Sequence, residues 1–150
     1  MKQMTTFPHN DFVLEIPEKW GDYSVITLVE PPPGDEKHGF QHSLVITRDT
    51  LGEKDGLKEY VNTQIGNIKG NFQDCSIESH EEFPVKGIEG YRIIHTWQHP
   101  EIDQMFTQMQ QYLCHDRQVI VITATALQDT FDQYRQAFEK AMESFQFIVP

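Results

Sequence analysis

Basic residues are scarce in this chain: 12 Lys and Arg stand against 23 Asp and Glu across 150 residues, a net charge of −11. Such a surface repels phosphate backbones and anionic lipid headgroups, so neither nucleic acid nor stable membrane insertion is expected. Cysteine is nearly absent. Cys75 and Cys114 are too few for a disulfide scaffold and form no Cys-x-x-Cys pair, so both are expected as free thiols. No apolar run reaches the ~20 residues that cross a bilayer. The opening MKQMTTFPHNDF carries neither an apolar signal core nor a lipoprotein cysteine, so a cytoplasmic location is expected.

The local motifs of common catalytic machinery are missing too: there is no G-x-S-x-G elbow, no glycine-rich phosphate loop and no H-E-x-x-H. Among the histidines, His95 and His99 form a tempting pair. Four residues along a strand separate them by about 13 Å, too far for two ligands that each sit about 2 Å from one zinc. The adjacent carboxylates Glu81-Glu82 and Asp35-Glu36 read as solvated. Cys114 and His115 are neighbours on one expected strand and face opposite ways, which removes the obvious thiolate pair. No enzyme activity, metal or cofactor is expected, although an active site assembled from distant residues leaves no local motif.

What is present is the grammar of one α+β domain over residues 1–150, with residues 1–11 as a flexible or edge segment. At this length the chain buries roughly 70% of the surface its unfolded form exposes. FVLEIPEKWGDYS (12–24) packs a short strand, a proline stop and a tryptophan anchor before a second strand over 25–29. Pro17 lacks the N–H that a continuing ladder needs, which frees Trp20 to turn inward. Asp22 and Ser24 are placed to bond nearby backbone N–H groups. EPPPGDEKHG (30–39) is expected as a solvated loop, and the strand pattern resumes at 43–47. From Asp55, a plausible cap, Leu57, Val61, Gln64 or Ile65, Ile68 and Phe72 lay an apolar stripe on a helix, extended by Tyr60. Strands follow over 75–83, 88–99, 104–115 and 118–126, the last two joined by a tight turn at Asp116-Arg117. A second amphipathic helix over Phe131, Tyr134, Phe138 and Phe145 closes the chain, capped by Asp129 or Thr130.

Counting faces gives a functional hint. Two helices on one face of a six- or seven-stranded sheet leave the other face bare, yet several strands are apolar on both parities. Val25 and Val29 oppose Ile26 and Leu28, Val45 opposes Leu44 and Ile46, and Met105, Thr107, Met109, Gln111 and Leu113 line one apolar parity with a polar handle. A second protomer, a bound apolar segment, both together, or loops folded over the sheet would cover such a face.

Leu14-Glu15-Ile16-Pro17, Trp20, Asp22 and Ser24, then Ile46-Thr47-Arg48-Asp49, Tyr60-Val61 with Gln64, the 91–97 strand and Val119-Ile120-Val121-Ile122-Thr123 form an ordered set. In that order and spacing the chain resembles the DcrB-like family from about residue 12 to 145. More narrowly, it resembles the Eag chaperones associated with type VI secretion effectors. The periplasmic DcrB-type lipoproteins need a signal peptide, so the cytoplasmic chaperone branch is the nearer likeness. The resemblance implies a PsbP-like fold, a curved antiparallel sheet with the helices packed on one face, assembled as a homodimer. It also implies a client: hydrophobic N-terminal transmembrane segments of an effector, shielded until the effector is loaded on the secretion spike. The family's groove positions fall on Val25 and Thr27, the helix glutamine Gln64 and the strand glutamine Gln111. Thr27 departs from the bulkier aliphatic residue usual there. Face counting adds Val45, Met109 and Leu113 to the expected client-binding set. The alternative is a small-ligand or lipid-binding PsbP-like module or an assembly subunit.

Overall fold

A computed structural model describes residues 3–31, 41–101 and 103–148. Strand-forming segments give β1 (Met4–His9), β2 (Phe12–Pro17), β3 (Ile26–Val29) and β4 (Ser43–Thr50). Helix α1 (Leu57–Asn71) follows, then β5 (Ser76–Glu82), β6 (Glu89–Gln98), β7 (Met105–His115) and β8 (Gln118–Leu127), and helix α2 (Phe131–Glu143). Strands β3 to β8 make one six-stranded antiparallel sheet in the order β3-β4-β8-β7-β6-β5, while β1 and β2 pair as a separate two-stranded sheet. The expected 30–39 loop lies from residue 32 onward outside the described residues.

Local chemistry explains the joints. Asp116 and Arg117 both adopt positive φ, +48° and +66°, the backbone of a two-residue turn whose twist suits the long β7–β8 hairpin. Helix α1 starts one residue later than Asp55 suggests. Gly56 is the N-cap, and its backbone N–H donates to the Glu59 carboxylate at 3.0 Å, which also places a negative charge at the positive end of the helix. Thr130 is the N-cap of α2, and its hydroxyl donates to the Leu127 carbonyl.

The α+β class and the antiparallel sheet are as expected, but the two helices divide between the faces rather than sharing one. Leu57, Val61 and Ile68 of α1 pack with Tyr91, Ile93, Tyr112, Val119 and Val121. Phe131, Phe138 and Met142 of α2 pack with Ile94, Met109, Leu113, Ile120 and Ile122, which carry the opposite strand parity. The physical reason is visible in β6, where every residue from Tyr91 to Trp97 is buried. A strand buried on both faces needs a layer on each side.

A second correction concerns the N-terminal arm. Trp20 does not turn inward: it is 64% exposed, and Met4, Phe12, Val13 and Leu14 of the β1–β2 hairpin are exposed with it. The Asp22 carboxylate does serve the turn as expected, accepting from the Ser24 N–H at 2.8 Å and from the Ser24 hydroxyl.

One polar cluster ties β3, β4 and the start of α2 together. His42 is buried, with Nδ1 2.7 Å from Glu30 Oε1 and Nε2 3.1 Å from the Thr130 hydroxyl, and it stacks on Tyr134 at 3.5 Å between ring centres. The Tyr134 hydroxyl donates to the other Glu30 oxygen at 2.9 Å. Hydrogen bonds from the His42 side chain and backbone, and then from Tyr134, hold the Glu30 carboxyl down at about 2 against an ordinary 4.5. Because the folded value is the lower one, the stability this group contributes is present above pH 4.5 and is lost as pH falls through about 2. The melting temperature should fall over that window, and Glu30→Gln should flatten the fall while lowering the melting temperature at pH 7. Parallel pH–melting curves for the two proteins would refute this role.

Candidate functional site

The face carrying α1 is only partly covered. The helix starts beside Leu51 and Val119 and ends with Phe72 against His95 and Trp97, at 5.5 and 5.0 Å between ring centres. It therefore crosses the sheet diagonally and leaves the β3–β4–β8 corner open. Strand register lays out what is there. One row runs Thr27, Val45, Thr123, Gln110 and the next Val29, Ser43, Thr125, Gln108. Thr27 and Val29 are exposed, and the other six are half-buried. Val25, 57% exposed, precedes Thr27 on the same parity. The corner is thus aliphatic at its edge and amide- and hydroxyl-lined toward its middle.

Gln64 is on the helix that covers this face. It is half-buried and one helical turn beyond Tyr60, whose hydroxyl reaches across to Asp49 at 2.8 Å on β4. Burial, then the Asp49 carboxylate, pushes the Tyr60 phenol up, and burial does the same to Tyr112, so both remain neutral donors. The Tyr112 hydroxyl donates to Gln110 at 2.6 Å.

The residues expected from sequence do not form one surface. Thr27 and Val45 are register partners at the open corner, Val25 precedes them in the chain, and Gln64 is half-buried on the helix that covers the same face. Met109, Gln111 and Leu113 lie on the other face, fully buried beneath α2. Gln111 is a structural hub there: its oxygen accepts from Arg92 Nε at 2.9 Å, and its nitrogen donates to the Phe83 and Tyr112 carbonyls at 2.9 and 3.3 Å. Sequence reasoning passed over Thr123, Thr125, Gln108 and Gln110. The alternation ITATA (122–126) was the available signal, since its threonines share one parity and its alanines the other.

Nothing at the corner is arranged for covalent chemistry. Among the described residues no group of three or more His, Cys, Asp or Glu is placed to hold a metal ion. No helix among them is long and apolar enough to cross a membrane. A cavity of about 860 Å³ lies elsewhere, between Leu51, Lys86, Glu89, Cys114 and Phe147.

Comparison with known proteins supplies the lineage. The curated protein Effector EagT6 of Pseudomonas aeruginosa is 23% identical over 141 residues, covering 94% of each chain. A solved Pseudomonas aeruginosa structure, described as PA94, a protein of unknown function and putative regulator, superposes with a TM-score of 0.79 at 20% identity, covering 98% of this chain and 99% of that one. Cyanobacterial PsbP from Synechocystis sp. PCC 6803 superposes with a TM-score of 0.54 at 8% identity, covering 99% and 94%, which establishes the PsbP-like fold. The DcrB family model matches residues 13–144, and the chain belongs to the DcrB family.

Proposed function

We propose that this protein is a cofactor-free, homodimeric cytoplasmic chaperone that shields the N-terminal transmembrane segments of a type VI secretion effector until the effector is loaded on the secretion spike. The observation that carries the reading is the open corner of the α1 face, an edge of exposed Val25 and Val29 beside a lining of threonine and glutamine. The likeness to EagT6 along 94% of both chains supports it.

The physics of such a site needs no chemistry. An apolar helix held in water gains about 25 cal/mol for each Å² of apolar surface it buries. Val25, Val29 and Val45 offer that surface. Small residues on membrane helices allow close approach and interhelical hydrogen bonds, and Gln64, Gln108, Thr123 and Thr125 offer matching donors and acceptors. The client site is therefore proposed as Val25, Thr27, Val45 and Gln64 with this polar lining, while Met109, Gln111 and Leu113 are assigned to the core.

The exposed N-terminal arm supports the dimer. A two-stranded hairpin is marginal on its own in water, and Phe12, Val13, Leu14 and Trp20 leave apolar surface that a second copy would cover.

The test is co-expression with the N-terminal fragment of a spike-domain effector, affinity capture and mass determination of the soluble complex. A complex containing two copies of this chain, lost when the fragment's apolar segments are deleted, is the expected result. A soluble fragment that ignores the chain would overturn the reading and favour a small-ligand module, with the 860 Å³ cavity as its first candidate site.

A further inference from the structure

Beside the open corner, the structure joins groups that the sequence keeps far apart. Cys75 Sγ lies 3.9 Å from Nδ1 of His95, and His95 Nε2 lies 3.0 Å from the Gln108 amide oxygen. The Gln108 amide nitrogen donates to Thr125 Oγ1 at 3.1 Å. An amide oxygen only accepts, so Nε2 carries the ring proton and Nδ1 presents its lone pair to the thiol. The ring is fully buried and held between Phe72 and Trp97, each 5.5 Å away between centres. Nucleophile, base and orienting amide therefore stand in series.

The protonation states fit. Burial pushes the His95 imidazole down, leaving it a neutral base at pH 7, and burial pushes the Cys75 thiol up, leaving it protonated until the base takes its proton. Cys75 itself is half-buried, within reach of a small reagent. Cys114 is a built-in control. It is half-buried too and its thiol is also raised by burial, but His115 beside it points to the other face and sits 3.3 Å from Asp116.

We propose that Cys75 is a base-assisted nucleophilic thiol that exchanges with small disulfides. Its sulfur attacks one sulfur of R–S–S–R while its proton passes to His95 Nδ1. The new S–S bond forms as the old one breaks, and the departing R–S⁻ leaves with the electron pair and takes the proton from the imidazolium. Cys75 is oxidised to a mixed disulfide, and half of the small disulfide is reduced to a thiol. This site borders the corner and shares Gln108 and Thr125 with its lining, but the thiol chemistry needs no client to be bound there.

The experiment follows absorbance on mixing the folded protein with 5,5′-dithiobis(2-nitrobenzoate) between pH 5.5 and 9.5. Cys114→Ser isolates Cys75, and Cys75→Ser isolates Cys114. An unassisted thiol gains about tenfold in rate per pH unit until its own titration, because only the thiolate reacts. Cys114 should behave so. Cys75 should instead rise through the imidazole titration below 6.5, stay level toward pH 9 and react at least tenfold faster than Cys114 at pH 7. His95→Asn should return Cys75 to the unassisted profile. Should that variant not fold, the profile with His95 intact decides alone: a tenfold rise per unit across the whole range, or a rate at pH 7 within tenfold of Cys114 or below it, overturns the proposal.

Discussion

Gln111→Ala is expected to cost about 2–3 kcal/mol of folding stability, toward the upper end of the range for losing a buried hydrogen bond to a charged group. The side chain is wholly buried and works in two directions at once. Its oxygen accepts from Nε of Arg92, a buried guanidinium that stacks on the Phe83 ring at 3.6 Å and whose Nη2 has no hydrogen-bond partner among the described residues. Its nitrogen donates to the Phe83 and Tyr112 carbonyls. The path to Phe83 exists because residue 90 is glycine. A Cβ there would meet the Phe83 carbonyl at 2.4 Å and the Gln111 amide nitrogen at 2.9 Å. Alanine at 111 thus leaves the Arg92 guanidinium without its acceptor and the Phe83 carbonyl without the amide donor, against a total stability on the order of 5–15 kcal/mol. Urea unfolding with the slope checked for two-state behaviour measures the loss. The folded fraction of the variant should still retain client. A loss below about 1 kcal/mol accompanied by lost client would return Gln111 to the binding site and contradict its role as a hub.

The same residue shows where sequence reading reached its limit. Strands over 43–47, 104–115 and 118–126, the turn at Asp116-Arg117 and both helices were legible, because each depends on spacing within about fifteen residues. Which face of the sheet each helix covers depends on the crossover, and no local pattern records that. Val119 and Val121 lie opposite Ile120 and Ile122 on β8, and each parity has its own helix. Gln111 and Met109 share a parity, so both went beneath α2 together. Thr27 came from the family resemblance and Val45 from face counting, and the two are register partners across β3 and β4. Cys75 and His95 meet through a loop-to-strand contact twenty residues apart, so the thiol search in sequence stopped at Cys114-His115.

Two half-covered faces change the logic of the binding site. A sheet bare on one side would offer a broad flat surface to any apolar partner. Here each helix occupies the inner strands, and the unclaimed apolar surface lies on the edge strand β3, whose two parities face different neighbours. Val25 and Thr27 look toward the threonine and glutamine rows. Ile26 and Leu28 look toward Leu44 and the side of α2, where a cavity of about 250 Å³ reaches Tyr134, Ala137 and Phe138. One short strand can serve two partners.

That division sets up the sharpest functional expectation: Val25→Asp should reduce client retention at least tenfold, and Val45→Asp likewise, with the fold intact. Tenfold corresponds to about 1.4 kcal/mol and is a floor, since a carboxylate buried against an apolar helix without a partner costs several kcal/mol. Val25 precedes β3 and is more than half exposed, so the charge remains solvated until a client arrives. Val45 is half-buried between Thr27 and Thr123, where aspartate also costs up to about 1 kcal/mol in strand preference, and its melting temperature must be read beside its binding. Ile26→Asp is the matched control, one residue from Val25, 43% exposed and on the opposite face. It should retain client when retention is counted per folded protomer. Co-purification of the effector fragment with each variant gives the comparison directly. If Ile26→Asp releases the client and Val25→Asp holds it, the client lies against α2 and the assignment of the groove to the α1 face is wrong.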